Sequence, residues 1–281
     1  MNLAKKFKGE IISADSRQVY KGLDIGTGKI SKSEMRGINH YLLDVADPRH
    51  AYSVARYKKD AERAISSVIK KTKLPIIVGG TGFYIDTLLG EISLPNVRAN
   101  KKLRGVLSEK SKDELLAILT ILDRERAKTI DKQNSVRLIR AIEIASAMGK
   151  VPKTKKQDSK YDVLKIGIKV EPDILKQKIE TRLLSRIKKG MVSEAKNLHK
   201  KGLSFKRMEE LGLEYRYLAK YLKGEMTEQE MIKKIKIENW RYSKRQMTWF
   251  KRDKEIHWLK LDNLKNADNI VMDFLKTAEK N

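Results

Sequence analysis

Two short apolar runs flank one amphipathic helix, and each stops abruptly at polar or glycine residues. No other feature of this chain restricts its fold so strongly. Glu10–Ala14 (EIISA) ends at Asp15, and Ile76–Val78, opened by Pro75, ends in Gly79-Gly80-Thr81-Gly82. Short continuous apolar runs bounded by turn residues read as buried strands. Between them, from Val54 to Lys71, Tyr57, Ala61, Ala64, Ile65, Val68 and Ile69 recur at helical spacing. Strand, helix, strand and glycine turn predict two parallel strands joined by a crossover helix, the unit of a doubly wound α/β sheet. Phe83–Leu89 predicts the helix after that turn, and Met1–Phe7 the end of a helix leading into the first strand.

From Lys101 to Met148 the pattern is helical throughout, with no strand candidate. This interrupts the α/β alternation, so residues 94–160 are expected to form an α-helical insertion domain, and residues 1–93 with 161–281 the α/β core domain. Lys153–Lys160 reads as a polar, lysine-rich linker. Val163–Val170 predicts a further strand, Ile174–Leu198 and Glu228–Lys251 two long helices, and Ile256–Leu261 the last strand.

The charge balance narrows the partners. The 281 residues carry 62 Lys+Arg against 36 Asp+Glu, a formal net charge of +26. Such an excess repels itself in a compact chain and suits an anionic partner, nucleic acid first. The plainer alternative is a lysine-rich surface without a specific ligand. No run approaches the roughly 20 apolar residues of a membrane span, and no apolar stretch follows the basic N-terminus, so a cytoplasmic chain is expected. Cysteine is absent, which excludes disulfides and thiolate chemistry. His40, His50, His199 and His257 lack metal-ligand spacing.

Four segments carry candidate chemistry. Asp15 directly follows a buried strand, at the carboxyl edge of the sheet where α/β ligands bind, and a carboxylate there can act as a general base. The alternative is that Asp15 or Ser16 only caps the next turn. The glycines around Thr81 would let a ligand approach the backbone, unless they make an ordinary strand-to-helix turn. Arg137 and Arg140 lie three apart on one helix face and can grip phosphates or remain a solvated basic face. In Trp240–Arg252, Arg241, Lys244, Arg245, Thr248 and Arg252 share a face suited to an RNA backbone. Trp240, Met247 and Phe250 share another, expected to be core.

In this order the segments resemble one family, the tRNA dimethylallyltransferases, also called tRNA isopentenyltransferases. The resemblance rests on EIISADSRQVYKGLDIGTGK (Glu10–Lys29), HYLLDVADP (His40–Pro48), AYSVARYKKDA (Ala51–Ala61), LPIIVGGTGFYI (Leu74–Ile85), VRLIRAIEI (Val136–Ile144) and YSKRQMTWFKR (Tyr242–Arg252). It covers nearly the whole chain, and DSRQVYKGLDIGT is its most specific part. It implies a P-loop NTPase-like doubly wound parallel sheet with an α-helical insertion. It also implies transfer of a dimethylallyl group from dimethylallyl pyrophosphate to N6 of the adenosine 3′ of the anticodon. In that frame Asp15 matches the general base, Thr81 a channel residue, and Arg241 an arginine near the reaction centre. Asp15, Ser16, Arg17 and Gln18 match the segment that holds the flipped base. Val136, Arg137, Leu138, Ile139 and Arg140 match a second segment contacting the tRNA anticodon stem-loop, and Arg104 a third. A monomer is implied.

Two departures stand out. The family opens with a strand and a P-loop of the GPTxxGK[ST] kind that cradles the departing pyrophosphate and holds Mg²⁺. This sequence does not contain it, so the first strand and P-loop are expected to be missing from the sheet. Either the start codon is assigned too late, or the chain is truncated and survives as an inactive RNA-binding remnant. Met208–Arg216 (MEELGLEYR) replaces an Arg-x-x-Gly-Tyr-Arg run, leaving Arg216 as the pyrophosphate contact. A nucleotide kinase on the same scaffold is the third alternative, disfavoured by the basic helix and the insertion.

Overall fold

A computed structural model describes residues 1–153 and 159–278. The chain divides into two compact units, Met1–Leu89 with Ser159–Asn281, and Gly90–Asp158. Of the linker expected over Lys153–Lys160, residues 154–158 lie outside the described residues.

In the first unit a short helix, α1 (Asn2–Lys6), leads into β1 (Gly9–Ser13), whose five residues are all buried. After α2 (Lys32–Met35) comes β2 (His40–Tyr41), a strand too short to show a sequence signature. The crossover helix α3 (Val54–Lys70) leads to β3 (Leu74–Val78), and α4 (Gly82–Leu88) follows the glycine turn. The strands are parallel, in the order β2-β1-β3, with Ile11 opposite both His40 and Ile76. Ser53 starts α3 by accepting the Arg56 N–H at 3.2 Å. Tyr57, Ala61, Ala64, Ile65 and Val68 face the core as their spacing requires, but Ile69 is exposed.

One carboxylate sits inside this sheet. Glu10 of β1 is 1% exposed. It accepts from Asn39 Nδ2 and Lys73 Nζ at 2.7 Å, Tyr41 Oη at 2.6 Å and Lys71 Nζ at 3.1 Å. A single acid thus ties the segments leading into all three strands together. Burial pushes its carboxyl up, but the four donors outweigh it and hold it at about 2.

The helical unit contains α5 (Lys101–Ser108), α6 (Lys112–Leu122), α7 (Arg124–Thr129) and α8 (Ser135–Met148). The helical stretch read from the sequence is therefore broken. Each break coincides with a side-chain cap, at Ser111, Asp123 and Asn134. Leu107, Leu115, Leu119, Leu138 and Ile142 form its separate core.

The first unit resumes with β4 (Ile166–Lys169). The single helix expected over Ile174–Leu198 is two, α9 (Pro172–Lys188) and α10 (Met191–Lys200). Gly190 separates them at φ +98°, a left-handed conformation that ends one helix and admits a new direction. Two short helices then appear, α11 (Phe205–Leu211) and α12 (Leu213–Leu222), followed by α13 (Glu228–Phe250), β5 (His257–Lys260) and α14 (Asn266–Ala278). Strands β4 and β5 pair in parallel as a second, two-stranded sheet, so among the described strands only β1 is paired on both sides. Met208, Tyr215 and Leu218 pack with Leu183, Met191, Met231 and Ile235 into the same core as Ile12 and Tyr57.

Candidate active site at the carboxyl end of β1

The chain leaving β1 is held by the chain leaving β3. Ala14 N–H donates to Val78 O at 2.8 Å, and Thr81 N–H donates to Ala14 O at 3.2 Å. Thr81 Oγ1 in turn accepts the Ser16 N–H at 3.1 Å. Asp15, between these contacts, is half-buried. Its Oδ1 accepts the N–H of Arg17 at 2.7 Å and of Gln18 at 3.2 Å. The turn-capping alternative is therefore realised, through one oxygen. No group among the described residues donates to Oδ2, so the carboxylate is clamped on one side and available on the other.

Helix α13 closes the other flank. Gly80 O accepts from Gln246 Nε2 at 3.0 Å, with Tyr242 Oη at 3.5 Å, and Trp249 Nε1 donates to Asp86 Oδ2 at 2.9 Å. A Cβ on Gly80 would lie 2.0 Å from Gln246 Nε2, and one on Gly82 2.2 Å from Trp249 Cδ1. The sequence suggested that these glycines make room for a ligand; the space is filled by α13 instead. Burial and the nearby Asp15 charge push the Tyr242 hydroxyl up, against hydrogen bonds with Thr81 and Gln246. Tyr242 therefore stays a neutral donor near Asp15 and Thr81. Sequence reasoning did not single out Tyr242, Gln246 and Trp249; their i, i+4, i+7 spacing was the signal that could have found them.

The rest of the segment is braced from below. Glu194 of α10 accepts the N–H groups of Asp24, Ile25 and Gly26 at 2.9, 2.6 and 2.9 Å and the Tyr215 hydroxyl at 2.6 Å. Arg17 and Arg216 converge near Gly212, since a Cβ there would lie 3.8 Å from Nη2 of each. Neither guanidinium has a carboxylate partner among the described residues.

Arg241 is not brought to this centre. It is 63% exposed, donates to Glu238 Oε1 at 2.7 Å, and contacts neither Asp15 nor Thr81. The expected core stripe on α13 is also corrected. Trp240, Met247 and Phe250 are only partly buried, and the ammonium groups of Lys176 and Lys244 lie 5.2 and 5.1 Å from the Trp240 ring centre. Its neighbours there are cations held against the ring face, where a core position would have apolar groups.

The remaining candidates lie in the helical unit. Val136 is 75% exposed, and Arg137 is exposed with a 3.3 Å contact to Asp131. Leu138 is fully buried and Ile139 packs against the same core, so the Leu138 side chain offers RNA no surface. Arg104 and Arg140 both pair with Glu143.

Among the described residues of the first unit, the Mg²⁺ implied by the family resemblance finds no set of three acidic ligands. Asp253 and Glu255 converge on the ammonium of Lys165, at 2.7 and 3.2 Å, which offsets one of their two charges and occupies the point they share. Asp15 supplies a lone carboxylate with one oxygen committed to backbone. These residues do not fit a divalent ion.

The IPP transferase family model matches residues 18–253. The chain belongs to the IPP transferase family. Among relatives of this IPP transferase, "tRNA dimethylallyltransferase 2" of Treponema denticola is 41% identical, over 90% of this chain and 86% of its own. A "tRNA dimethylallyltransferase" of Pelotomaculum thermopropionicum is 35% identical, over 99% of this chain and 90% of its own. The solved structure of a tRNA isopentenylpyrophosphate transferase from Bacillus halodurans superposes with a TM-score of 0.74 at 32% identity, over 99% of this chain and 92% of that one. The IPP transferase fold is thus a P-loop-like α/β sheet. Among the described residues, no helix is long and apolar enough to cross a membrane.

Proposed function

We propose that this chain is a tRNA dimethylallyltransferase, moving a dimethylallyl group from dimethylallyl pyrophosphate to N6 of the adenosine 3′ of the anticodon. It would act as a monomer in the cytoplasm. Within a chain of this family, the observation that carries the reading is Asp15, with Oδ1 fixed by two backbone donors and Oδ2 without a partner among the described residues.

The chemistry follows from that carboxylate. An exocyclic amine is a weak nucleophile because its lone pair is delocalised into the ring. As the N6–C1 bond forms and the C1–O bond to the diphosphate breaks, the electron pair leaves with pyrophosphate, and Asp15 Oδ2 takes the N6 proton. Proton acceptance by a placed base contributes about 10²–10⁴-fold. The adenosine must be flipped from its stack to reach this centre. Ser16, Arg17, Gln18 and Thr81 line its path, and Tyr242 supplies a neutral donor beside it. Arg216, with Arg17 nearby, is the cationic pair for the departing pyrophosphate. Arg104, Val136, Arg137, Ile139 and Arg140 offer the helical unit's tRNA surface, and the +26 charge supplies long-range attraction.

The test is direct. Unmodified tRNA incubated with the full chain and dimethylallyl pyrophosphate should yield N6-dimethylallyladenosine on nucleoside mass analysis. The proposal fails if the purified chain binds tRNA yet transfers nothing under any donor concentration.

A further inference from the structure

The helical unit contains an ion triad built on a buried acid, Glu143, that the proposed chemistry leaves unused. Glu143 of α8 is 2% exposed. Its Oε1 accepts the Asn100 N–H at 2.6 Å and Arg104 Nε at 3.0 Å. Its Oε2 accepts Arg104 Nη2 at 2.7 Å and also Arg140 Nη1. Arg140 Nη2 further donates to Val97 O at 2.9 Å. Burial alone would push the Glu143 carboxyl up, yet its donors hold it at about 2, so the charge is permanent near neutrality.

The carboxylate is saturated, but the two guanidiniums are not. A carboxylate offers about four acceptor positions, and four donors occupy those of Glu143. Each guanidinium carries five N–H groups, so among the described residues Arg104 keeps its Nη1 pair and Arg140 its Nε–H without a partner. Both side chains reach the surface, 44% and 34% exposed. The cluster carries one net positive charge. Its planar forks are held on two different helices, α5 and α8, by one acid beneath them. A free arginine loses rotamer freedom when it closes on a phosphate; here folding has already immobilised both.

We propose that Glu143 is a positioning residue for RNA, presetting Arg104 and Arg140 as a paired clamp for the ribose-phosphate backbone. This rests on the tRNA reading above. It adds that the clamp depends on an acidic residue inside a strongly basic chain, and this gives the test a sign. Glu143→Gln removes a negative charge, which by bulk electrostatics should tighten RNA binding. Positioning demands the reverse.

The experiment measures kcat and KM for tRNA in the full chain, Glu143→Gln, Arg104→Ala/Arg140→Ala and the triple variant, with a melting temperature for each. Glu143→Gln should raise the tRNA KM about tenfold with kcat nearly unchanged. The triple variant should match the double arginine variant, because the acid then has nothing left to place. An unchanged or lower KM in Glu143→Gln overturns the inference. So does a further KM loss in the triple variant, which would show that Glu143 acts through the fold. Arg104→Lys/Arg140→Lys keeps both charges without the forks and covers the case in which Glu143→Gln does not fold. It should also raise KM, and an unchanged KM there is contradictory. A wild-type chain that neither binds nor modifies tRNA overturns the functional reading itself; normal wild-type kinetics with an indifferent Glu143→Gln overturn this inference alone.

Discussion

Thr81 Oγ1 accepts the backbone N–H of Ser16 at 3.1 Å, so the turn after β3 sets the direction in which the chain leaves Asp15. Thr81→Ala strands that N–H in a half-buried site, at a cost of about 1 kcal/mol, and loosens the Asp15 segment. The expected result is roughly tenfold lower kcat, with activity restored by Thr81→Ser, which keeps the hydroxyl. Kinetics and thermal melts of the two variants check this. Equal losses in both would assign the role to the methyl group.

Gly82 has room for hydrogen only, because a Cβ there would lie 2.2 Å from Trp249 Cδ1. Gly82→Ala should displace the indole, break its 2.9 Å bond to Asp86 and destabilise the chain by about 1–3 kcal/mol. Urea unfolding measures the cost. A midpoint within error of wild type would mean that α13 yields without penalty.

Acid should weaken the sheet through Glu10. Its folded carboxyl is held at about 2, against an ordinary value of 4.5 that applies in the unfolded chain. A depressed acid stabilises fully above its unfolded value, and the contribution is lost as pH falls through the folded one. Melting temperature should therefore fall between about pH 4.5 and about pH 2. Glu10→Gln should lower it at neutral pH and flatten that decline. Glu143 shifts in the same direction and titrates in the same window, so the acid limb is reduced, not abolished. A parallel decline in wild type and variant would remove Glu10 from the account.

Arg216→Ala should raise KM for dimethylallyl pyrophosphate by about tenfold while leaving KM for tRNA unchanged. Steady-state kinetics with each substrate varied in turn separate the two. A selective change in the tRNA term would move Arg216 to the RNA surface.

The parts of this molecule legible in its sequence are those with local causes. The β1-α3-β3 unit follows from two apolar runs and one helical stripe; Asp15 was singled out because it follows an apolar run, and Thr81 because it lies in the glycine turn after β3. Longer-range packing was not legible. Strand β2 has two residues and no periodicity, and α11 and α12 are short helices joined by a glycine at φ +73°. The glycines of the turn signalled close approach but not by what; only folding brings Gln246 and Trp249 onto them. Leu138 was grouped with its arginine neighbours by sequence adjacency, whereas helix geometry turns it into the core. Trp240 carried the reverse ambiguity, a partly buried aromatic with two lysine ammonium groups near its ring.

The most direct test is single-turnover transfer by Asp15→Asn. Asparagine retains Oδ1, so the caps to Arg17 and Gln18 persist and the turn stays intact, while the oxygen that would take the proton is replaced by an amide nitrogen. The rate of N6-dimethylallyladenosine formation should fall about 10²–10⁴-fold with tRNA affinity unchanged. A rate near wild type would contradict the assignment of Asp15 as the base and, with it, the mechanism.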